Sequence, residues 1–481
     1  MDNMTESLDP KDWEECRRTM HRLVDACLDQ LEEVRQHPWK PVDQEFVEGV
    51  ALQGVTPESG LEAMAMEMVN KIMPYHAGNI HPRFFGWVQG TGNVAGLMGE
   101  IVAATMNSNC GGRDHGAVYV EREVIRWCAE CFGFPQGASG VLVSGTSQAT
   151  VVALAVARLQ ALGAESRKKG IYGGPRLSLY ATEGVHNAIT KAVELIGIGS
   201  ESIISIPVDS VRGGMDLGVL AKQVASDRAA GVVPFCVVGT AGSVDQGRFD
   251  PLEELADFCR AEHLWFHVDG AFGAWARIAD EPWCDLVKGI ERADSLALDF
   301  HKWMFVQYDC GLILIREEEK HRAAFAARPA YLAVQGAGIG GGDPWFCDYG
   351  TDLSRSFRAL KVWATLRAYG SERLGAVVTG NCRLAALMGE LVEAETVLEL
   401  AAPVVSNVCC FSAVARDGED VSRLNTLIVQ RLQATGEGVF STTKVAGRIV
   451  IRAAITNHRT GPSDIEAVIK AVVGAIEAER K

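Results

Sequence analysis

Apolar positions recur at helical spacing through DWEECRRTMHRLVDACLDQLEEVRQ (12–36), and Pro38 ends that pattern. The stretch ending at Pro74 reads the same way, so residues 1–90 are expected to form a helical arm. Such an arm is unstable alone and must lie on its own chain or on a partner subunit. From 91 to 365 the pattern changes to short apolar runs separated by helix-like stretches: RLSLYA (176–181), SIISI (202–206), VVPFCVV (232–238), HLWFHV (263–268) and DSLAL (294–298). Strands apolar on both faces and joined by helices predict an α/β domain with a mostly parallel sheet covered on both sides. Ligands in such sheets bind beyond the carboxyl ends of the strands. Those ends are followed by Thr182–His186, Thr240, Asp269 and Asp299–Lys302, so one pattern predicts both fold and site. Residues 366–481 read as a small α+β domain: a long helix, strands in VVSNVCCFSAVA (404–415) and GRIVIRAAITN (447–457), and a last helix for which Ser463 is a plausible N-cap. QGAGIGGGDPWF (335–346) has five glycines in eight residues, a composition suited to a lid.

The length, 481 residues, fits about three structural units. A net charge of −15 argues against binding to nucleic acid or to an anionic membrane surface. The acidic start, MDNMTESLDPKDWEE, lacks the basic and apolar segments of a signal peptide, and the longest apolar stretch, Ser147 to Leu162, carries Arg158 and Gln160. Thirteen cysteines show no framework spacing, and the Cys128–Cys131 pair lies in a predicted helix, so structural thiols and a reduced, cytoplasmic protein are expected.

Four features carry chemistry. Lys302 follows a buried strand end between His301 and Trp303, where burial lowers an amine's pKa and makes it a nucleophile or Schiff-base partner. Asp269, in HVDGAFGAW, suits an acid that holds a proton on a ring nitrogen, as pyridoxal phosphate requires. Gly270 and Gly273 would let backbone approach a flat ring, with Ala271 on its face. SGTSQAT (144–150) places Thr146 and Ser147 at a helix start, an anion site that is neither a Walker A loop nor a dinucleotide fingerprint. His186, in EGVHNAITKA, opens a helix just past a strand and suits ring stacking.

HPRFFGWVQG, SGTSQAT, HVDGAFGAW, DFHKWMFVQYDCG and LSRSFRALKVWATLRAYG resemble, in order and spacing, the pyridoxal-phosphate-dependent group II amino-acid decarboxylases of fold type I. That family holds the aromatic-L-amino-acid, glutamate and cysteine-sulfinate decarboxylases. The resemblance implies Lys302 as the cofactor's lysine, Asp269 as its ring-nitrogen partner, and His186 and Ala271 on opposite ring faces. It implies Thr146 and Ser147 at the phosphate, joined by Asp299 or His301, and Thr240 near the cofactor's 3-hydroxyl. An anionic Asp299 beside a phosphate is awkward, so it is expected to bind through its backbone amide or to orient His301. For substrate, Trp87 would form an aromatic wall, while Asn107, Asn109 and Arg113 resemble a segment that faces acidic side chains. An aromatic amino acid is favoured over an acidic one, and a transaminase using Arg452 is the lesser alternative. The resemblance implies a lid that comes from the partner subunit and presents a proton-donating tyrosine; a gapless count puts Phe346 at that place, which would divert product toward aldehyde, and Tyr349 or Tyr331 would serve after a register shift. The family's intertwined homodimers would account for the amino-terminal arm.

Overall fold

The computed structural model describes residues 7–51, 60–209, 213–327 and 338–480. Seven strands form the central sheet: β1 (Ser139–Val143), β2 (Leu177–Thr182), β3 (Ile203–Ile206), β4 (Val233–Thr240), β5 (Trp265–Asp269), β6 (Ser295–Asp299) and β7 (Gly311–Ile315). Their order is β1-β7-β6-β5-β4-β2-β3. Pairing is parallel from β3 to β6, and β7 runs antiparallel to both β6 and β1. The five expected runs are β2 to β6, and β1 and β7 extend the sheet beyond them. Helices cover it, including Thr146–Leu162, whose Val152, Ala153, Val156 and Ala157 are buried in the main core.

The smaller sheet holds β8 (Leu398–Leu400), β9 (Val408–Ala413), β10 (Ser441–Val445) and β11 (Arg448–Ala454), all antiparallel in the order β10-β11-β9-β8. Helices Val421–Thr435 and Pro462–Glu479 pack on it through Ile428, Leu432, Ile465 and Val472, which share a second core with Phe411 and Ile451. The last helix begins two residues earlier than a cap at Ser463 would allow. Gly461 is the N-cap, Pro462 takes the first turn, and Asp464 Oδ2 accepts from Gly461 N at 2.9 Å. Helix Ala359–Ala394 crosses residue 365, and its only non-helical residue is Gly370, at φ 68°.

Helix Trp13–Glu32 starts at Asp12, whose side chain accepts from Glu14 N and Glu15 N. Beyond it, Arg35 clamps Asp464 with two guanidinium contacts of 2.7 and 3.1 Å, tying the amino-terminal helices to the last helix. Cys128 and Cys131 are free thiols in helix Gly116–Cys131, and burial pushes Cys131 up to about 11. Among the described residues no helix is long and apolar enough to cross a membrane.

Candidate active site

A cavity of about 390 Å³ opens at the carboxyl ends of β2, β4, β5 and β6, and His186, Thr240, Asp269, Ala271, His301 and Lys302 line it. Strand register puts them there. Thr240 pairs with Asp269 and Asp269 with Ala297, so Asp299 closes the next strand and Lys302 sits on the turn after it. That turn is held from outside by Gly90, where a Cβ would fall 2.3 Å from the carbonyl oxygens of both His301 and Lys302. Only glycine allows that approach, and it carries Trp87, Val88 and Gln89 onto the cavity wall.

Asp269 is 5% exposed, and its Oδ1 accepts from Ala271 N at 3.2 Å. Burial raises its pKa, while His186, Lys302 and the Ala271 N–H oppose the rise. His186 caps helix Asn187–Leu195 by accepting from Ala188 N at Nδ1 (3.2 Å), so its neutral ring carries the proton on Nε2. Lys302 is not the isolated amine that sequence suggests, because its Nζ lies 2.9 Å from Asp299 Oδ2. Asp299 is buried and also accepts from Thr146 N at 2.7 Å and from the Thr146 hydroxyl. Burial works to raise the Asp299 pKa, but Lys302, His301 and the hydrogen bonds outweigh it and hold the carboxyl below its usual range. His301 accepts from Cys310 N at Nδ1 (3.0 Å), lies against the Tyr308 ring at 4.3 Å, and is pushed down in pKa by burial.

Three residues not singled out from the sequence also line the wall: Asp250, Arg248 and Tyr308, the last of them inside DFHKWMFVQYDCG. Asp250 accepts from Thr182 Oγ1 (2.8 Å), Thr240 N (2.7 Å) and Met215 N (2.8 Å), locking the ends of β2 and β4 together. Sequence offers no signal for it, since it lies ten residues past the end of β4 and just before helix Leu252–Glu262.

Several expected positions fall elsewhere. Thr146 gives both its donors to Asp299, and neither it nor Ser147 lines the cavity; Ser147 is exposed at the helix start. The Asp299 amide donates to the Ala271 carbonyl at 3.0 Å, and its Oδ2 lies 2.9 Å from Lys302 Nζ and 3.7 Å from His301 Nε2. Gly270 and Gly273 answer to packing, since a Cβ would meet Ala274 Cβ at 2.6 Å or the Ala241 oxygen at 2.3 Å. Asn109 and Arg113 line a separate cavity with Trp345 and Leu353. There Asn109 Oδ1 accepts from Gly111 N and Arg355 N, and the Arg113 guanidinium lies 4.6 Å over the Trp345 ring. Asn107 is the left-handed cap ending helix Val94–Met106. Phe346 and Tyr349 are buried in a third region with Arg122 and Phe134; Arg355 lies over the Phe346 ring and the Tyr349 hydroxyl donates to Glu318 Oε1 at 2.5 Å. The carbonyls of Gly342 and Pro344 accept from Arg122, which ties this stretch to helix Gly116–Cys131. Tyr331 lies outside the described residues. Arg452 stands behind the wall, donating to the carbonyls of Trp87 (2.9 Å) and Asp245 (3.1 Å).

Residues 54–414 match the family described as the pyridoxal-dependent decarboxylase conserved domain. The chain belongs to the pyridoxal-dependent decarboxylase family. It is 29% identical over 475 residues to an aromatic-L-amino-acid decarboxylase of Bacillus atrophaeus, covering 96% of each chain. A structure of Oryza sativa TDC with PLP and tryptamine superposes with a TM-score of 0.89 at 25% identity, over 99% of this chain and 100% of that one. A Rhodiola rosea 4-hydroxyphenylacetaldehyde synthase gives 0.86 at 25% identity, over 98% and 99%. As a member of this decarboxylase family the chain is a carboxy-lyase that uses pyridoxal phosphate. Its residues fit that cofactor: Thr240 Oγ1 is buried without a hydrogen-bond partner, a buried carboxylate and a primary amine face the same space, and the Ser147 end of a helix stands beyond them.

Proposed function

We propose that this decarboxylase converts an aromatic L-amino acid to its amine and carbon dioxide. The observation that supports this most is the make-up of one cavity. Lys302, Asp269, His186 and Thr240 share it with Trp87, Val88, Val185, Val244 and Phe272, while Asn109 and Arg113 lie elsewhere. Bound pyridoxal phosphate supplies an electron-accepting ring and a carbonyl that takes the substrate's amine. Lys302 Nζ would hold that carbonyl. Asp269 would keep a proton on the ring nitrogen, His186 and Ala271 would stand beside the ring, and the helix start at Ser147 would draw the phosphate. The apolar wall orients the side chain so that the carboxylate stands across the ring plane and water is excluded. His186 Nε2–H and the Tyr308 hydroxyl, which an ordinary tyrosine keeps protonated at neutral pH, are groups on the wall suited to return a proton to the α-carbon.

The enzyme works as a cytoplasmic homodimer in this reading. Helix Val94–Met106 exposes Met98, Ile101, Val102 and Met106, an apolar stripe that a second copy would cover. Sedimentation across a range of concentrations tests it, and a monomer throughout would refute it.

A panel of aromatic, acidic and aliphatic L-amino acids, assayed for carbon dioxide, amine, aldehyde and hydrogen peroxide, tests the reaction. Aromatic substrates are expected to lead, with amine as product. Preference for glutamate, aspartate or cysteine sulfinate would overturn the substrate assignment and point to Arg248, the arginine on the wall. Aldehyde with peroxide would place the chain functionally with the aldehyde synthases. Lys302→Ala is expected to abolish the borohydride-trappable adduct, and a retained adduct would refute its role.

A further inference from the structure

Arg452 is a buried cation with no anion beside it. It is 3% exposed, on β11, and makes no ion pair among the described residues: the Asp245 carboxylate, whose charge reaches it, accepts instead from the Thr443 hydroxyl at 3.0 Å. Burying an unpaired guanidinium is costly, and what offsets the cost is where its hydrogen bonds go. Nη1 donates to the Trp87 carbonyl at 2.9 Å and to Ser441 Oγ at 3.3 Å, Nε donates to the Asp245 carbonyl at 3.1 Å, and Nη2 is buried with no partner. Trp87 and Val244, the neighbour of Asp245, both line the active-site cavity. One side chain therefore fastens two pieces of the cavity wall to the small sheet.

Trp87 needs such a fastening. Its φ is 53°, in the left-handed region that a bulky side chain rarely adopts and that persists only where the surroundings fix it. Its indole is 55% exposed, with the Phe84 ring 6.2 Å away, so side-chain packing does little to hold it. The backbone is held instead, and from one direction. Trp87 N donates to Ser441 Oγ at 3.2 Å, its carbonyl takes Arg452, and Ser441 and Arg452 face each other across β10 and β11. The flanking residues hang on the same domain: Phe85 N donates to the Val439 carbonyl at 2.7 Å, and the Thr456 hydroxyl donates to the Gln89 carbonyl at 2.9 Å. Resting on the aromatic reading above, we propose that Arg452 is a positioning residue for substrate recognition, holding the Trp87 backbone so that the exposed indole forms one wall for the substrate's side chain. Arg452 is not on the cavity lining, so it acts through Trp87 and not by gripping the substrate's carboxylate.

The test is a double-variant cycle on the holoenzyme, read by steady-state carbon dioxide release from the best substrate of the amino-acid panel. Arg452→Met keeps much of the side chain's reach and removes its donors. It is expected to raise KM about tenfold, the scale of one aromatic pair. A lost binding contact leaves turnover alone, so kcat and pyridoxal phosphate affinity should stay within about threefold of wild type. Trp87→Ala is expected to give the same rise, and in that background Arg452→Met should add less than about twofold, because the wall it holds is gone. A full effect of Arg452→Met in the Trp87→Ala background overturns the proposal and is what a direct grip on substrate would produce. An unchanged KM in either single variant, or a kcat that falls as far as KM rises, also overturns it. Should Arg452→Met fail to fold, Ser441→Ala takes its place, since it withdraws only the hydroxyl shared by Trp87 N and Arg452. A KM rise of about threefold that Trp87→Ala abolishes is then expected; an unchanged KM, or a rise that persists, overturns the proposal. A best substrate that is not aromatic refutes the reading of the function and leaves the cycle to be run with that substrate, whereas additive effects on an aromatic one refute only the positioning role.

Discussion

Replacing Asp269 with Asn changes charge with almost no change of shape. The residue is 5% exposed at the end of β5, and an amide oxygen can still accept from Ala271 N, now at 3.2 Å. What disappears is a negative charge that His186 and Lys302 both feel and that would hold the proton on the cofactor's ring nitrogen. Two unit charges about 4 Å apart interact by about 4 kcal/mol at an effective dielectric constant of about 20. Losing that interaction as electrons enter the ring corresponds to about a thousandfold fall in kcat. Cofactor affinity is expected to fall far less, because Lys302 and the phosphate still anchor it. The assay is carbon dioxide release at saturating cofactor, with a pyridoxal phosphate titration on the same preparation. A loss in turnover under about tenfold would mean that Asp269 is structural. A fall in affinity equal to the fall in turnover would mean that the carboxylate binds the cofactor without activating it.

Tyr349→Phe removes the buried bond to Glu318 and is expected to cost about 1–2 kcal/mol in chemical unfolding while leaving the ratio of amine to aldehyde unchanged; a switch toward aldehyde would return Tyr349 to the site. Glu121→Gln strands Arg355, which is 2% exposed at its side chain and otherwise bonds the carbonyls of Cys110 and Leu142, so about 3–5 kcal/mol of stability should be lost in urea, and a loss below about 1 kcal/mol would refute the reasoning. Burial pushes His267 down to about 4 and His321 to about 3, so below about pH 6.5 the unfolded chain binds protons that the folded chain refuses. Stability is therefore present above that pH and is lost as pH falls toward about 4, by about 1.4 kcal/mol per unit for each histidine; His267→Gln should remove one such slope, and an unchanged slope would count against it.

The helices, the parallel strands and the polar residues at their ends can be read along the chain because each depends on neighbours a few positions away. A run such as RLSLYA needs only two buried faces, and Asp269 or Lys302 needs only to follow one. β1 and β7 are equally apolar, but what makes SGVLV a strand is its antiparallel pairing with GLILI, far along the chain. Asp250 is hidden for the same reason: nothing in GRFDP separates it from a turn aspartate until Thr182 and Met215 arrive from elsewhere. Spacing along the chain does not show where such side chains lie: Arg113 adopts φ 88° and lays its guanidinium on Trp345, and Phe346 opens the short 3-10 turn Phe346–Asp348. Asp299 lies between these cases. Sequence alone marks a carboxylate beside a phosphate as a conflict, and only three-dimensional distances show how the chain contains it. Thr146 supplies the hydrogen bonds and Lys302 the countercharge, so the anion is compensated within the chain itself.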